Sequence, residues 1–275
     1  MVYDRHHRAR VLEIAIEKDG MDMEMSLENQ VCKLVEERIA QLDRPDLYRT
    51  PLVRFAQASD PRFNELKTLI GPWHATPCEL LPEAQSVISY FVPYTRDVAL
   101  GPKRADKYDI DWAEAYQEIN AGFDGVNNAL KAFLESQGHK VVTIQSTHTY
   151  DPKDLKASWS HRSVAVIAGL ACLGSNRLAI TEKGSAGRFC SVITSADLHS
   201  PEPPIDQKCL YISKGSCGLC FKACPIGALK PETFDKFACQ DRLNENQDEI
   251  RAQSSLKDAD VCGKCISVCP FCYID

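Results

Sequence analysis

The chain has 275 residues, of which 44% are hydrophobic and 25% charged, so it is long enough to bury a substantial core in one large domain or two ordinary ones. Its formal net charge of −6 and its isoelectric point near 5.7 give no overall basic character of the kind that attracts phosphate backbones, which argues against nucleic acid as the principal partner. No stretch approaches the ~20 apolar residues of a membrane span, and we expect a cytoplasmic protein.

The first 200 residues show the periodicities of both helices and strands, which predicts an α+β fold. Apolar residues at helical spacing predict an amphipathic helix over 26–42, with Ser26 as its N-cap. A longer helix is predicted to begin at Asp111, which with Glu114 resembles a capping box, and to end near Gly138. The other predicted elements are a strand at 86–92, a strand at 140–145, a helix at 160–171, and a pair of strands at 177–181 and 188–194 around the turn EKGS.

A proline-rich stretch, PEPPI at 201–205, marks the clearest boundary in the chain. Three prolines in five residues discourage regular structure, and the composition then changes abruptly to Cys, Gly and Lys. We therefore expect an α+β core domain over 25–200 and a small ferredoxin-like cluster domain over 201–275. The N-terminal segment, 1–24, is left unassigned.

The cysteine content is high, at 13 residues, and nine of these follow residue 200. Clustering with Gly and Pro in a chain without a secretion signal favours metal ligation over a disulfide framework. Four cysteines lie singly before residue 200, and we expect them to be small buried hydrophobes: Cys32, Cys78, Cys172 and Cys190.

Two motifs of the form Cys-x2-Cys-x3-Cys-Pro begin at Cys217 and at Cys262. A cubane iron–sulfur cluster needs four thiolates, and in two-cluster ferredoxins the cysteine before proline ligates the other cluster. Structural zinc is the alternative, because four-cysteine zinc sites also use Cys-x2-Cys, but the repeated Cys-x3-Cys-Pro favours two [4Fe-4S] clusters. Gly218 and Gly263, each just after a first cysteine, permit backbone amides to approach the sulfurs.

The first motif lacks the cysteine that usually opens it, because Lys214 stands at that position. Cys209 is favoured as the replacement, and Cys272 is its rival because it lies three residues from Cys269. The predicted metal ligands are Cys209, Cys217, Cys220 and Cys269 for the first cluster, and Cys224, Cys239, Cys262 and Cys265 for the second.

The stretch 160–198, followed by the cysteine motifs, resembles the epoxyqueuosine reductase family and its relatives, the reductive dehalogenases. The resemblance spans roughly residues 86–272 and implies a nitroreductase-like, corrinoid-binding core joined to a two-cubane ferredoxin module. The matching elements are Ala-Gly-Leu-x3-Gly-x-Asn-x-Leu at 168–178, Ile-Thr at 180–181, Gly-Ser at 184–185, Val-Ile-Thr at 192–194, Cys-Pro-x-Gly-Ala, the lone Cys239 and the second Cys-Pro.

The resemblance implies a corrinoid (cobalamin)-dependent reductase. An external low-potential donor such as ferredoxin or flavodoxin would reduce the clusters, which would pass single electrons to a base-off cobalamin that reduces a small substrate. We expect such chemistry to be anaerobic. The residues expected at the cofactor are His161, Arg162, Gly169, Leu170, Gly174, Asn176, Thr181, Gly184 and Ser185.

Two other functions stay open at this point. The protein would be a reductive-activation partner of a corrinoid methyltransferase, with no substrate of its own, if the cobalt face were shallow and open. Alternatively, the core would hold flavin, as nitroreductases do, or no cofactor.

The chain departs from the family at the catalytic acid. The Asp-Ser-Ala-Pro segment that supplies this acid in the queuosine enzymes is replaced by QSTHTYDPKDL at 145–155, so we expect a proton donor among His148, Tyr150 and Asp151. The sequence ends at Asp275, without the helical-repeat domain that helps family members bind tRNA. Together with the acidic charge, this leads us not to expect nucleic acid as a partner.

Overall fold

The computed structural model describes residues 25–146, 150–151 and 153–275. The strands are β1 (Leu52–Gln57), β2 (Ser86–Pro93), β3 (Val141–Thr143), β4 (Tyr150–Asp151), β5 (Lys156–Ala157), β6 (Cys172–Leu173), β7 (Ala179–Ile180) and β8 (Gly187–Thr194). The helices are α1 (Leu27–Ala40), α2 (Arg62–Leu69), α3 (Pro77–Leu80), α4 (Arg96–Arg104), α5 (Ile110–Ser136), α6 (His161–Ile167), α7 (Leu210–Lys214), α8 (Leu219–Ala223), α9 (Lys236–Gln253) and α10 (Lys264–Ser267).

A four-stranded antiparallel sheet with the order β1-β2-β8-β3 organises the core. Strands β2 and β8 pair over their full length, with Ser86 opposite Thr194 and Pro93 opposite Gly187. Every residue of β2 is buried, because helices cover both faces of the sheet. This double burial explains why β2 appears in the sequence as a continuous apolar run without alternation.

The two faces of the sheet receive alternate side chains of β2. Ile88 and Tyr90 pack with α1 and α5 in the main core, whereas Val87 packs with α2 and α6 on the opposite face. The result is a three-layer arrangement of helix, sheet and helix, which agrees with the predicted α+β class.

Several predicted elements are confirmed, and two details are wrong. Helix α1 has the predicted cap, because the Ser26 hydroxyl accepts from Asn29 N at 3.3 Å. Helix α5, however, is capped by Asp109, which accepts from Trp112 N at 2.9 Å, and not by Asp111. The predicted strand pair around EKGS does not form a hairpin, because β7 pairs with β6 while β8 lies in the central sheet.

The segment after residue 200 shares a core with the segment before it. Residues 201–205 have no regular structure, as their prolines predict. Ile250 and Val261 nevertheless belong to the same buried cluster as α1 and α5. Gly263, at φ +70°, lies so close to α4 that a Cβ there would be 2.7 Å from the Pro102 ring. The domain boundary at 201 stays a prediction.

Within the described part of the chain, no helix is both long enough and apolar enough to cross a bilayer.

Candidate cluster and cofactor site

The four cysteines predicted for the first cluster line one cavity. Cys209, Cys217, Cys220 and Cys269 surround an empty volume of ≈ 370 Å³, part of which is open to solvent. Cys209 and Cys220 are buried, whereas Cys217 is exposed. Converging thiols on three sides of one cavity are what a cubane cluster requires.

Cys209 lies immediately before α7 and contacts a loop of the core that carries Ser175. The Ser175 amide donates to Cys209 Sγ at 3.5 Å, and the Ser175 hydroxyl lies 3.6 Å from Cys209 Sγ and 3.5 Å from Cys220 Sγ. Burial alone would raise the pKa of Cys209, but hydrogen bonds from the backbone N–H groups of Ser175 and Ile212 outweigh it and lower that pKa. The loop that carries Ser175 therefore stabilises the thiolate form that a metal ligand needs.

The other four predicted ligands form a second group of neighbouring thiols. Burial, together with the charges of Cys262 and Cys224, raises the pKa of Cys239 to about 11. Burial likewise raises the pKa of Cys265 to about 12, with contributions from Cys262, Cys239 and Cys220. Buried thiols this close together do not ionise together without a cation among them, which is the role that cluster iron fills.

The buried Nε of Arg242, beside this second group, indicates whether a cluster would fit there. Arg242 lies on α9, close enough to Cys262 for its charge to act on that thiol. Its Nε is buried and has no hydrogen-bond partner within the described residues. A buried donor without an acceptor is costly, and the sulfurs of a cluster would satisfy it. The second group therefore fits a [4Fe-4S] cluster.

The rival ligand, Cys272, is close enough to Cys269 for its charge to raise the pKa of that thiol. It is not among the residues that line the first cavity. Its backbone carbonyl accepts from the amides of Ser185 and Ala186, at 3.1 and 2.9 Å, and so attaches the C-terminal segment to the core. Its thiol is buried, with 4% of the residue exposed.

A single zinc ion is the alternative occupant for each group of thiols. Four thiolates around one zinc ion, each about 2.3 Å from the metal, lie within roughly 4 Å of one another. In the described ranges, no three His, Cys, Asp or Glu side chains are placed to hold a single metal ion. The repeated Cys-x3-Cys-Pro motif favours [4Fe-4S] clusters over zinc.

Most residues predicted to bind the corrinoid are buried against protein. A Cβ on Gly184 would lie 2.5 Å from the Cys272 carbonyl oxygen, and a Cβ on Gly169 would lie 3.0 Å from Pro204 Cα. Asn176 donates through Nδ2 to the Cys265 carbonyl at 3.1 Å. The glycine-rich pattern thus serves close approach of the cluster segment to the core. The predicted cofactor residues buried in this way are Gly169, Leu170, Gly174, Asn176, Thr181, Gly184 and Ser185.

His161 is also committed to the protein interior. Its Nδ1 lies 2.7 Å from the hydroxyl of Ser191, which accepts a hydrogen bond from Trp159 Nε1, and its Nε2 lies 3.1 Å from the Gln145 carbonyl. Burial lowers the pKa of His161 to about 4, so the ring is neutral at pH 7. A neutral ring with Nε2 donating satisfies both contacts, which leaves neither nitrogen for a ligand.

Arg162 and Arg188 lie close enough for their charges to interact, and Arg162 is also near Cys265 of the second group; we call this region of the surface the arginine recess. Solvent reaches the Arg162 side chain, yet desolvation and the charge of Arg188 lower its pKa. Arg188 lies over the Tyr116 ring, 4.5 Å from its centroid, and donates through Nε to Asn120 Oδ1. The Nδ2 of Asn120 is buried without a partner within the described residues.

The recess brings together residues that sequence reasoning missed. Arg188 opens β8 and gave no motif, and Asn120 and Tyr116 lie inside a helix whose aromatic stripe was assigned to the core. Arg162 and Arg188 bond to a carbonyl and an amide oxygen and to no carboxylate in the described ranges; next to the unsatisfied Nδ2 of Asn120, they can hold an anionic or amide-rich group.

The three predicted proton donors have different surroundings. His148 lies outside the described residues. Asp151 is exposed, and its Oδ1 accepts from Lys153 N at 2.9 Å, so its carboxylate stabilises the turn between β4 and β5. Tyr150 is half-buried, and burial together with the charge of Asp260 raises its pKa. Asp260 in turn accepts a hydrogen bond from Tyr116 at 2.7 Å, which places Tyr150 near the arginine recess.

Comparison with known proteins supports the cluster assignment. Residues 215–272 match the family model of the 4Fe-4S double cluster binding domain. The epoxyqueuosine reductase of Bacillus subtilis (strain 168) is 28% identical over 207 residues, which are 71% of this chain and 49% of that protein. The chain therefore spans about half the length of the curated relative that it matches.

Two solved structures show the same fold. An epoxyqueuosine reductase crystallised with a tRNA-Tyr stem loop matches 88% of this chain and 66% of that one, at 24% identity and a TM-score of 0.51. The catabolic reductive dehalogenase NpRdhA matches 82% of this chain and 30% of that one, at 13% identity and a TM-score of 0.52.

These matches bear on two expectations. From the sequence we did not expect nucleic acid as a partner. That expectation loses its support, because a relative of the same fold was crystallised with a tRNA stem loop. The resemblance to both families, in contrast, is confirmed. The chain is thus similar in sequence to an epoxyqueuosine reductase, has the fold seen in that enzyme and in a reductive dehalogenase, and carries a 4Fe-4S double cluster binding domain over residues 215–272.

Proposed function

We propose that this protein is a corrinoid-dependent reductase in which two [4Fe-4S] clusters supply electrons to a base-off cobalamin. The observation that carries the proposal is the pair of thiol groups, one around the cavity of Cys209 and one around Cys265, with the second beside the arginine recess. A redox chain needs its centres in series, and this arrangement provides a series.

The order of the clusters follows from their surroundings. The first group includes the exposed Cys217, so it is the one nearer to solvent. The charge of Cys220, in the first group, acts on Cys265 in the second, so the groups are neighbours. Cys265 also acts on Arg162 in the recess. Electrons would therefore enter at the first cluster and leave from the second.

The recess is the part of the core that suits the cofactor. A corrinoid carries amide side chains and a phosphate, and the recess offers two guanidinium groups and the unsatisfied Nδ2 of Asn120. Arg162 keeps one nitrogen on the Arg177 carbonyl at 2.9 Å and has its other donors for a ligand. When bound, cobalamin supplies the strongly reducing metal centre.

The protein's own residues would position the substrate and supply a proton. Tyr150, near Asp260, is the described member of the predicted donor set that faces this region, and its raised pKa keeps it protonated at pH 7. The strand pair β4–β5 is held to the cluster segment by Lys236, whose Nζ donates to the Asp154 carbonyl at 2.6 Å. This contact holds Tyr150 next to the cofactor region.

The substrate is the less defined part of the proposal. We propose a small organic substrate, and the tRNA stem loop seen with a relative adds an epoxyqueuosine-modified RNA to the candidates. Both would present a reducible group to the same recess.

Cofactor binding is tested on the full chain after anaerobic reconstitution with iron and sulfide. Cobalamin and, separately, flavin are titrated while visible and EPR spectra are recorded. We expect about eight irons per chain and cobalamin uptake with a base-off Co(II) EPR signal on reduction. Arg188→Ala should weaken cobalamin uptake at unchanged iron content, whereas Arg251→Ala, on the exposed end of α9, should not. Unchanged corrin spectra together with tight flavin uptake would overturn the proposal.

A further inference from the structure

Residues 207–231 differ in charge from the rest of the chain. The whole chain has a net charge of −6, but this segment contains four lysines and neither Asp nor Glu. Lys214, Lys222 and Lys230 are exposed and Lys208 is half-buried. None of the four forms an ion pair within the described ranges, whereas lysines elsewhere in the chain do. We call residues 207–231 the lysine segment.

The same segment exposes large apolar side chains. Ile212 is 50% exposed, Leu219 45% and Ile226 38%. Helices α7 and α8 meet through Tyr211 and Phe221, whose rings make an edge contact with their centroids 5.0 Å apart. Apolar side chains of both helices are therefore exposed next to unpaired lysines, the mixture found at protein-recognition surfaces.

The lysine segment also covers the first cluster. It carries Cys209, Cys217 and Cys220, and Leu219 lines the same cavity as these thiols. Cys217 is exposed. A protein bound here would reach the first cluster without passing through the core.

We propose that the lysine segment is the docking surface for a small acidic one-electron carrier protein, and that electrons enter the molecule here. The inference rests on the proposed function, in which the first cluster receives electrons. In the transfer step, one electron leaves the reduced centre of the carrier and enters the first cluster. The carrier is oxidised by one electron, the cluster is reduced by one, and no bond or proton changes place.

The chemistry of the segment favours a transient protein complex. Four positive charges without partners attract an acidic surface and raise the association rate, and electron-transfer encounters need only a small interface. An RNA backbone would be matched better by arginine, and the segment has none. A second copy of this chain is also acidic overall. The test therefore has to distinguish docking of a carrier protein from dimer formation.

The test measures the rate at which a purified, reduced acidic ferredoxin reduces the reconstituted protein in an anaerobic stopped-flow instrument. Wild type is compared with the double variant Lys214→Glu/Lys222→Glu and with Lys33→Glu. Lys33 is exposed on α1, which packs on α5, and its pair with Glu37 at 3.7 Å contributes little to stability. We expect the double variant to lower the second-order rate about tenfold or more at low salt, and salt to lower the wild-type rate.

Reduction by titanium(III) citrate, which needs no docking surface, separates this inference from the proposed function. All variants should reach the same extent of reduction, and absent clusters would overturn the proposed function instead. Equal rates with ferredoxin for wild type and the double variant would overturn the docking surface. If the double variant keeps its rate with ferredoxin but no longer binds a tRNA stem loop, the lysines bind RNA and the docking surface is overturned. If it keeps that rate but loses a dimer seen in sedimentation, the lysines bind a second copy of the chain, with the same conclusion.

Discussion

The hydroxyl of Ser175 should raise the reduction potential of the first cluster. It lies 3.5 Å from Cys220 Sγ and 3.6 Å from Cys209 Sγ, and it belongs to the core, not to the cysteine segment. Reduction adds negative charge to the cluster, so a donor aimed at its sulfurs stabilises the reduced state more than the oxidised state. Ser175→Ala removes this donor and keeps the backbone amide, which also donates to Cys209 Sγ.

The size of the shift follows from the strength of one hydrogen bond. A single hydrogen bond contributes a net 0.5–1.5 kcal/mol, roughly. For a one-electron couple, a tenfold change in equilibrium is about 59 mV, so this range corresponds to a potential lowered by roughly 20–60 mV. The second cluster should keep its potential, because the described structure shows the Ser175 hydroxyl only against sulfurs of the first group.

The measurement is an EPR-monitored redox titration of the reconstituted full chain. Ser213→Ala is the matched control, because that hydroxyl donates to the Cys209 carbonyl at 2.9 Å and to no sulfur. Ser175→Thr keeps the hydroxyl and should restore most of the potential. A first-cluster potential that is equal in wild type and Ser175→Ala, or that falls as far in Ser213→Ala, would refute the reasoning.

Three further predictions concern the ligands, the packing and the pH dependence. Cys209→Ala should lower iron from about eight to about four per chain, whereas Cys272→Ala should leave it unchanged, as measured by an iron assay; the reverse result would make Cys272 the ligand. Gly263→Ala should lower the free energy of unfolding by about 2 kcal/mol, because the added Cβ meets the Pro102 ring of α4. Gly218→Ala, also at positive φ but with its Cβ at ordinary contact distance, should lower it by about 1 kcal/mol. Equal losses for the two variants in denaturant unfolding would contradict the packing argument. Because the folded-state pKa of His161 is lowered from 6.5 to about 4, its contribution to stability is complete above pH 6.5 and falls as pH decreases towards 4; an NMR titration that gives an ordinary pKa would contradict this.

The convergence of the cysteines could be predicted from the sequence because cluster motifs depend on local spacing; which of them ligate iron stays a prediction. A Cys-x2-Cys pair at the start of a short helix places two thiols on one side of a cavity wherever it occurs. Cys209, which the motif does not include, was proposed by requiring a fourth thiolate, and it lines the same cavity as the other three cysteines of its predicted group. The central strand β2 was equally accessible, because burial on both faces leaves a continuous apolar run.

Apart from Arg162, the arginine recess could not be predicted because its residues come together only through tertiary packing. Arg188, Asn120 and Tyr116 lie on a strand and a helix that are far apart in sequence, and none belongs to a motif. The glycines of the core were predicted to permit a close approach to the backbone, and the structure shows such an approach at Gly184 and Gly169. What the pattern could not show was that a protein segment, and not the ligand, makes that approach at Gly184 and Gly169.

The same packing explains why glycines and polar residues of the core are arranged around the cluster segment. Electron transfer between centres in series requires that their separation does not change during turnover. Here the second group of thiols is held by Asn176 on the Cys265 carbonyl, the C-terminal segment by the amides of Ser185 and Ala186, and Gly263 by direct contact with α4. Backbone groups make most of these contacts, so they do not depend on flexible side chains. In a core and a cluster segment joined in this way, the arginine recess and the two groups of thiols are positioned by the same set of contacts.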